Sequence, residues 1–153
     1  MMRSPACMSF YGALRAWEKL MGMAAAVLDQ DGVQAGIRYQ HALVLAEEML
    51  EACSVAGDDE VAQYGDAVVA AYVVAQHNLA DIYRRKNAQA LAGGHYQEAF
   101  QRLDALCKDV AAPEGLRLFA ARHMTRALGE WAAHQQQCGN YPASTGQRIE
   151  RPN

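Results

Sequence analysis

Apolar residues recur along this chain at the spacing of an α-helix rather than at that of a β-strand. In a first predicted helix, from about Ser9 to Leu28, they follow one another at steps of three and four residues and so share one face. Asp29, Asp31 and Gly32 then supply turn chemistry. The face of this first helix consists of Phe10, Leu14, Trp17, Met21, Ala24 and Leu28.

The same periodicity predicts two further helices. The second runs to about Cys53, and the third runs from about Glu60 into the basic cluster Arg84 to Lys86, which suits the negative end of a helix dipole. Because residues 67–75 are apolar almost all round, we expect the third helix to be buried on two sides. The buried stripe of the second helix comprises Tyr39, Ala42, Leu43, Ala46, Met49, Leu50 and Cys53.

The start of a fourth helix has two candidate positions. The helical pattern places the break near Asn87, whereas Gly93 and Gly94 would turn the chain at the least conformational cost; we favour Asn87. Pro113 and Glu114 open a fifth helix, predicted to end by Gly139 with Leu116, Phe119, Ala120, His123, Ala127 and Trp131 on one face.

The fourth helix repeats the second. Its stripe lies 57 positions further along the chain, and the pairs Ala35-Gly36 and Tyr39-Gln40 recur as Ala92-Gly93 and Tyr96-Gln97. An internal duplication explains this recurrence. The repeated stripe comprises Tyr96, Ala99, Phe100, Leu103, Leu106, Cys107 and Val110.

The stretch 67–100 carries a more specific spacing of small and aromatic residues. Ala80, Tyr83, Asn87, Ala92, Tyr96 and Ala99 follow one another at steps of three, four, five, four and three. This spacing resembles the signature of the tetratricopeptide repeat, in which small residues let two antiparallel helices approach closely. The resemblance covers residues 73–106, and the second half of residues 16–49 follows it too, although the 57-residue period exceeds the family's 34.

The resemblance implies an all-α stack of antiparallel helical hairpins with about five helices. Two hairpins are fewer than a repeat stack normally needs, so we expect the fifth helix to cap the core. We expect one domain at residues 9–138, with flexible termini at residues 1–8 and 139–153.

Composition narrows the class of protein. The 52% apolar content of the 153 residues, with only four prolines, favours a helical globular domain. Cys7, Cys53, Cys107 and Cys138 form no C-x-x-C pair, which favours buried free thiols over disulfides. No run of 18 apolar residues occurs and the N-terminus lacks the pattern of a signal peptide, so we expect a soluble cytoplasmic protein that does not bind membranes.

Charge is unevenly spread along the chain. The net charge of −3 disfavours nucleic acid as a partner, because such binding needs a basic face. Residues 29–66 hold nine acids against Arg38 alone, whereas residues 84–126 hold eight bases against four acids. Such asymmetry commonly reflects solvated faces and less often a partner surface.

In the tetratricopeptide family the first helix of each hairpin lines a groove that binds peptides of partner proteins. The resemblance assigns that groove to Val74, His77, Asn78, Asp81, Arg84 and Arg85 of the third helix and to Trp17 and Leu20 of the first. Arg122 and Arg126, four apart on the fifth helix, are expected to complete a basic cradle for a peptide with acidic residues and bulky apolar anchors. The alternative is a solvated stripe with a local His77–Asp81 pair.

Candidate chemistry is sparse. His134 and Cys138 lie four residues apart and could face one metal ion, but two ligands do not make a site, and a frayed helix end explains them better. His123 on an apolar face reads as a satisfied core histidine rather than a base. No motif for a nucleophile or a phosphate loop is present.

We therefore expect a non-catalytic module, without metal or cofactor, that binds another protein or peptide as an adaptor or chaperone. In size and acidity the chain is similar to small bacterial secretion chaperones with such repeats. Two alternatives remain open: a structural subunit that forms a homo-oligomer through its apolar first helix, and a small-molecule sensor.

Overall fold

The computed structural model describes the backbone of residues 9–150 and the side chains of residues 9–139. The described chain is all-α, and each helix packs antiparallel to the next one along the sequence, as predicted. The helices are α1 (Phe10–Val27), α2 (Gly32–Cys53), α3 (Asp58–Arg85), α4 (Gln89–Lys108) and α5 (Glu114–Glu150).

Local chemistry explains where the helices begin. The Ser9 hydroxyl accepts a hydrogen bond from the Gly12 N–H at 3.3 Å, and the Asp31 carboxylate accepts one from the Gln34 N–H at 3.0 Å. Each side chain thereby satisfies one of the backbone donors that a helix start leaves without a partner. In α3, three acids in the first turn and two arginines in the last turn oppose the helix dipole.

The break between α3 and α4 lies at Asn87, as the small and aromatic spacing predicts. Asn87 has a φ of 60°, the left-handed conformation that asparagine tolerates better than most residues. Gly93 and Gly94, the alternative break, lie inside α4. The turn therefore uses asparagine, and the two glycines have another role.

The predicted stripes form the core. All seven stripe residues of α2 are buried, and α3 contributes buried residues on several sides because it packs against α1, α2, α4 and α5. The prediction that Val110 belongs to the buried stripe of α4 is wrong. Val110 is 87% exposed, because α4 ends at Lys108 before the repeated pattern is complete.

Helix α5 closes the stack against α3 and α4, as expected of a cap. A Cβ added at Gly65 of α3 would lie 2.9 Å from the ring of Phe119, so the glycine lets the two helices approach closely. The predicted end of α5 at Gly139 is wrong, since the helix is described to Glu150. The flexibility of residues 1–8 and 139–153 stays a prediction, and residues 1–8 and 151–153 lie outside the described residues.

A second, smaller cluster lies where α3, α4 and α5 meet. Ala80, Ala92 and Tyr96 are buried there, with Tyr83 and Trp131 packed against them. Both tyrosines of the repeat signature therefore pack between helices, where its small residues Ala80 and Ala92 are buried. Across the helices that the structure describes, none combines the length and the apolar character needed to cross a membrane.

Candidate functional site

Arg122, one of the two predicted groove residues of α5, and its neighbour His123 both contact Asp66 in the first half of α3. The Nε2 atom of His123 is 2.8 Å from Oδ1 of Asp66, and the Arg122 guanidinium is 3.7 Å from the same oxygen. Arg122 also lies over the Phe119 ring at 5.5 Å. His123 is thus a satisfied histidine, as predicted, and Arg122 has an intramolecular carboxylate partner.

Arg84 and Arg85 at the end of α3 point to different neighbours. Arg84 donates hydrogen bonds to the Tyr96 hydroxyl at 3.5 Å and to the Gln137 amide oxygen at 2.6 Å, and the bond to Tyr96 raises the pKa of the guanidinium. Arg85 instead pairs with Asp81 at 3.1 Å and with Asp29 at 3.6 Å. The two arginines therefore link α3 to opposite sides of the stack.

The four predicted arginines do not converge on one site. Arg122 of α5 pairs with Asp66 of α3. Arg84 lies 18 residues after Asp66 on α3, which is about 27 Å from it at 1.5 Å per residue. Arg126 is exposed beside His77, between the two ends. The basic residues therefore follow the length of α3 and α5 rather than forming a cradle.

The central groove positions on α3 are largely engaged within the fold. The Asn78 amide donates to the Val74 carbonyl oxygen at 2.8 Å on its own helix. Burial lowers the pKa of His77, Glu130 raises it and Arg126 lowers it, and the His77 ring lies 5.2 Å from the Tyr96 ring. The expected local pair of His77 with Asp81 is not among the hydrogen bonds of the described residues, where Asp81 accepts from Arg85.

The two predicted groove residues of α1 are only partly accessible. Trp17 and Leu20 are both half-buried, and Trp17 lies on the main hydrophobic cluster. The buried Nε1 of Trp17 has no hydrogen-bond partner among the described residues. These two side chains therefore offer a partner less apolar surface than the sequence suggests.

A cleft between the start of α2 and the end of α3, which we call the first cleft, has a volume of about 260 Å³. Leu79 and Ile82 are buried and form its floor, while Val33 and Ile37 remain 63% and 44% exposed on its α2 wall. Free apolar side chains above a buried apolar floor are typical of a protein contact. The lining comprises Val33, Gly36, Ile37, Gln40, Leu79, Ile82, Tyr83 and Lys86.

A cleft between the start of α4 and residues 131–138 of α5, the second cleft, has a volume of about 510 Å³. Trp131 and His134 lie in it, and the Trp131 ring packs 5.7 Å from the ring of Phe100 beneath. Its lining comprises Gln89, Ala90, Gly93, Gly94, Gln97, Trp131, His134, Gln135 and Cys138.

His134 and Cys138 do not form a frayed helix end, because His134 is only 4% exposed and packs on α4. Its Nε2 lies 3.2 Å from the Gln89 carbonyl oxygen, which can only accept, so Nε2 carries the proton. Cys138 Sγ is 3.5 Å from the same nitrogen and donates to the Gln89 amide oxygen at 3.4 Å. Within the described residues no third His, Cys, Asp or Glu joins the pair as a metal ligand.

A largely buried polar network links α3 to α4 beside the first cleft. The Gln76 side chain, fully buried, donates to the Tyr72 hydroxyl at 3.1 Å and accepts from His95 Nδ1 at 2.7 Å. The His95 ring stacks on Tyr83 at 5.4 Å with an interplanar angle of 9°. Burial lowers the pKa of His95, so the neutral ring is favoured here.

The sequence prediction missed both clefts. It treated Gly36 and Gln40 only as evidence of duplication, since they recur as Gly93 and Gln97, although all four line clefts. The sequence signal that could have indicated the clefts was the recurrence of a glycine and a glutamine at positions outside the buried stripe. A glycine on a helix face often marks a close approach rather than a break.

The family model described as "Protein of unknown function (DUF2753)" matches residues 15–151, so the chain belongs to that family. The match spans all five helices except for the first residues of α1. A comparison with curated proteins found no match, and neither did a comparison with solved structures.

Proposed function

We propose that this DUF2753 protein is a non-catalytic helical-repeat module that binds another protein or a peptide, acting as an adaptor or chaperone in the cytoplasm. The observation that carries the proposal is the first cleft, where Val33 and Ile37 stay exposed above the buried Leu79 and Ile82. A bulky apolar side chain of a partner would remove this surface from water. Each Å² of apolar surface buried in this way stabilises the complex by about 25 cal/mol.

The spacing on α2 strengthens the proposal. Val33, Ile37 and Val44 are 63%, 44% and 45% exposed and lie four and seven residues apart, so they share one helix face. Isolated surface apolar residues need no explanation, but a row of β-branched residues leading out of a cleft favours a protein contact. The tetratricopeptide-like hairpin arrangement that we propose suits a rigid binding surface of this kind.

The charged groove predicted on α3 and α5 is a weaker candidate. Asp29, Asp66 and Asp81 already pair with two of its four arginines, Arg85 and Arg122, and a partner would have to displace them. Exposed ion pairs stabilise a protein by only about 0.2–1 kcal/mol each. A partner could therefore displace them at little cost in free energy, but the new ion pairs would add little to its affinity. We therefore place the main contact at the first cleft.

A catalytic role for the second cleft finds little support in its geometry. The ring nitrogen of His134 nearest to Cys138 Sγ is Nε2, which donates its proton to the Gln89 carbonyl oxygen. A base that activates a thiol needs its unprotonated nitrogen on the sulfur. The unprotonated Nδ1 lies 3.9 Å from Sγ, and Sγ instead donates to the Gln89 amide oxygen at 3.4 Å, so this arrangement does not favour proton transfer from the thiol to His134.

The test is capture of partners from a native lysate by the full chain, followed by calorimetry with each partner found. The variant Ile37→Glu should weaken binding at least about tenfold, whereas Val110→Glu, at an exposed valine outside both clefts, should stay within about threefold. Equal affinities for the two variants would move the contact away from the first cleft.

Self-association through α1 is the second candidate. Met23, 37% exposed, lies three residues from the half-buried Leu20 on this helix, and Tyr11, 64% exposed, lies nearer its start. Light scattering distinguishes the two functions. A dimer that dissociates in the variant Leu20→Glu would favour a structural subunit. A strict monomer would exclude self-association through α1.

A further inference from the structure

The two clefts occupy equivalent positions in the two halves of the stack. The four α2 residues of the first cleft correspond, 57 positions on, to four α4 residues of the second: Val33, Gly36, Ile37 and Gln40 to Ala90, Gly93, Gly94 and Gln97. Three α3 residues and Lys86, which directly follows α3, correspond, 52 positions on, to four α5 residues: Leu79, Ile82, Tyr83 and Lys86 to Trp131, His134, Gln135 and Cys138. Eight matching positions make the clefts two copies of one surface feature.

The close helix contact beneath each cleft is also equivalent. A Cβ added at Gly36 would lie 3.9 Å from the Ile82 side chain, and one added at Gly93 would lie 3.3 Å from His134 Nε2. Gly36 of α2 thus faces Ile82 of α3, and Gly93 of α4 faces His134, the equivalent position of α5. Both clefts also keep a glutamine, Gln40 or Gln97, four residues after that glycine.

The side chains that differ change the size and the polarity of the clefts. Ala90 and Gly94 replace Val33 and Ile37, and the volume increases from about 260 to about 510 Å³. Trp131 replaces Leu79, so the wider cleft has an aromatic floor. The first cleft therefore suits an aliphatic side chain, and the second has room for a larger, aromatic one.

The first cleft has a positive charge at one end. Lys86 lines this end, and no carboxylate of the described side chains lies within 4.0 Å of its ammonium group. Its neighbour Arg85, by contrast, already pairs with Asp29 and Asp81. An acidic group of a ligand would complement Lys86, whereas neutral amides of Gln89, Gln97 and Gln135 line the second cleft.

Helix α4 separates the clefts. The Tyr83 side of the first cleft stacks on His95 of α4, and the second cleft lies between α4 and α5. A helix with its side chains is about 10–12 Å across, and an extended chain advances about 3.3 Å per residue. Since alternate residues of an extended chain point to opposite faces, side chains about four positions apart would reach both clefts on the same side.

We propose that both clefts bind one extended peptide segment of a partner protein. An aliphatic side chain of the segment enters the first cleft beside a carboxylate that contacts Lys86, and a second, aromatic side chain about four positions away enters the second cleft. This inference rests on the proposed function and specifies its ligand. Occupying two linked clefts raises the affinity above that of either contact alone, because the second contact forms within the complex.

The test is selection of binders to the full chain from a random-peptide display library, followed by calorimetry. Selected peptides should carry the two anchors at this spacing together with an acidic residue. Ile37→Glu in the first cleft and Gly94→Glu in the second should each weaken binding at least about tenfold, and Val110→Glu should stay within about threefold. A Cβ added at Gly94 has no atom within 4 Å, so the second variant should fold normally, as a melting curve will verify.

The outcomes separate the two proposals. Affinity that depends on Ile37 but stays within about threefold in Gly94→Glu overturns the paired clefts and leaves the proposed function standing. Affinity that depends on neither residue overturns the paired clefts and places the binding surface elsewhere. A library that yields no binder overturns the peptide-binding function as well. Replacing either anchor of a selected peptide by alanine should also weaken binding to the wild-type chain, and an anchor without effect contradicts two-point binding.

Discussion

His134 of α5 lies directly against Gly93 of α4, where a Cβ on the glycine would be 3.3 Å from the imidazole Nε2. The same nitrogen donates to the Gln89 carbonyl oxygen at 3.2 Å, which fixes the ring in place. The glycine is therefore needed for the approach of a buried side chain and does not interrupt the helix. This contact shapes the second cleft.

The variant Gly93→Ala should consequently stabilise the protein less than Gly94→Ala does. Alanine in a helix interior is favoured over glycine by about 0.5–1 kcal/mol, and Gly94 has open space around its Cβ position. At Gly93 the displacement of His134 should offset that gain. Chemical denaturation of both variants measures the difference, and equal gains would mean that His134 moves freely.

The approach of α3 to α5 at Gly65 provides a second test. A Cβ at this position would lie 2.9 Å from the Phe119 ring, closer than two carbon atoms can pack without a shift. We expect Gly65→Ala to lower the free energy of unfolding by about 1–3 kcal/mol, the usual cost of overpacking a core. Gly22→Ala, in an exposed part of α1 with nothing within 4 Å, is the matched control and should be stabilising.

Ala99 tests the packing that the repeat spacing predicts. It is fully buried on α4, so Ala99→Asp places a charge without a partner at a close helix contact. We expect a loss of about 3 kcal/mol or more, enough to unfold much of the protein. Ala105→Asp, at an exposed position of the same helix, should leave the melting temperature nearly unchanged. Similar melting temperatures for the two variants would refute the packing.

Stability should fall as the pH decreases below about 6.5. Burial lowers the folded-state pKa of both His77 and His95 from 6.5, so the unfolded chain takes up protons before the folded chain does. The stability that the neutral rings provide is complete above pH 6.5 and is lost progressively toward the lowered pKa values. Denaturation curves between pH 5 and 8 measure this change.

A variant assigns the effect to one ring. His95→Gln removes the titrating group beside Gln76, Tyr83 and Glu98 and should reduce the loss of stability at low pH. His41→Gln changes an exposed histidine of α2 and serves as the control. An unchanged pH dependence in His95→Gln would show that other groups control it.

Much of the fold follows from the sequence because helix periodicity and packing obey local rules. The stripe of α2 is buried throughout, and Asn87 forms the turn where the small and aromatic spacing places it. The failures have local causes too. Gly139 does not end α5: glycine favours a helix end chiefly because it adopts the left-handed conformation easily, and no described glycine has a positive φ.

The site was less predictable because it depends on how the helices rotate against one another. Sequence spacing places Arg84 and Arg85 on one face, yet their partners are Gln137 on one side and Asp29 on the other. Pairing between residues so distant in sequence leaves no local signal. The recurrence of Gly36 as Gly93 was visible, but its role required the positions of Ile82 and His134.

The most direct test of the paired clefts is an NMR titration of the isotope-labelled full chain with a peptide selected from the random library. We predict shifts in the backbone amides of the first two turns of α2 and of α4, around Gly36 and Gly93, that saturate together with one dissociation constant. Shifts confined to the predicted groove around Trp17, Asn78 and Arg122 would contradict the account.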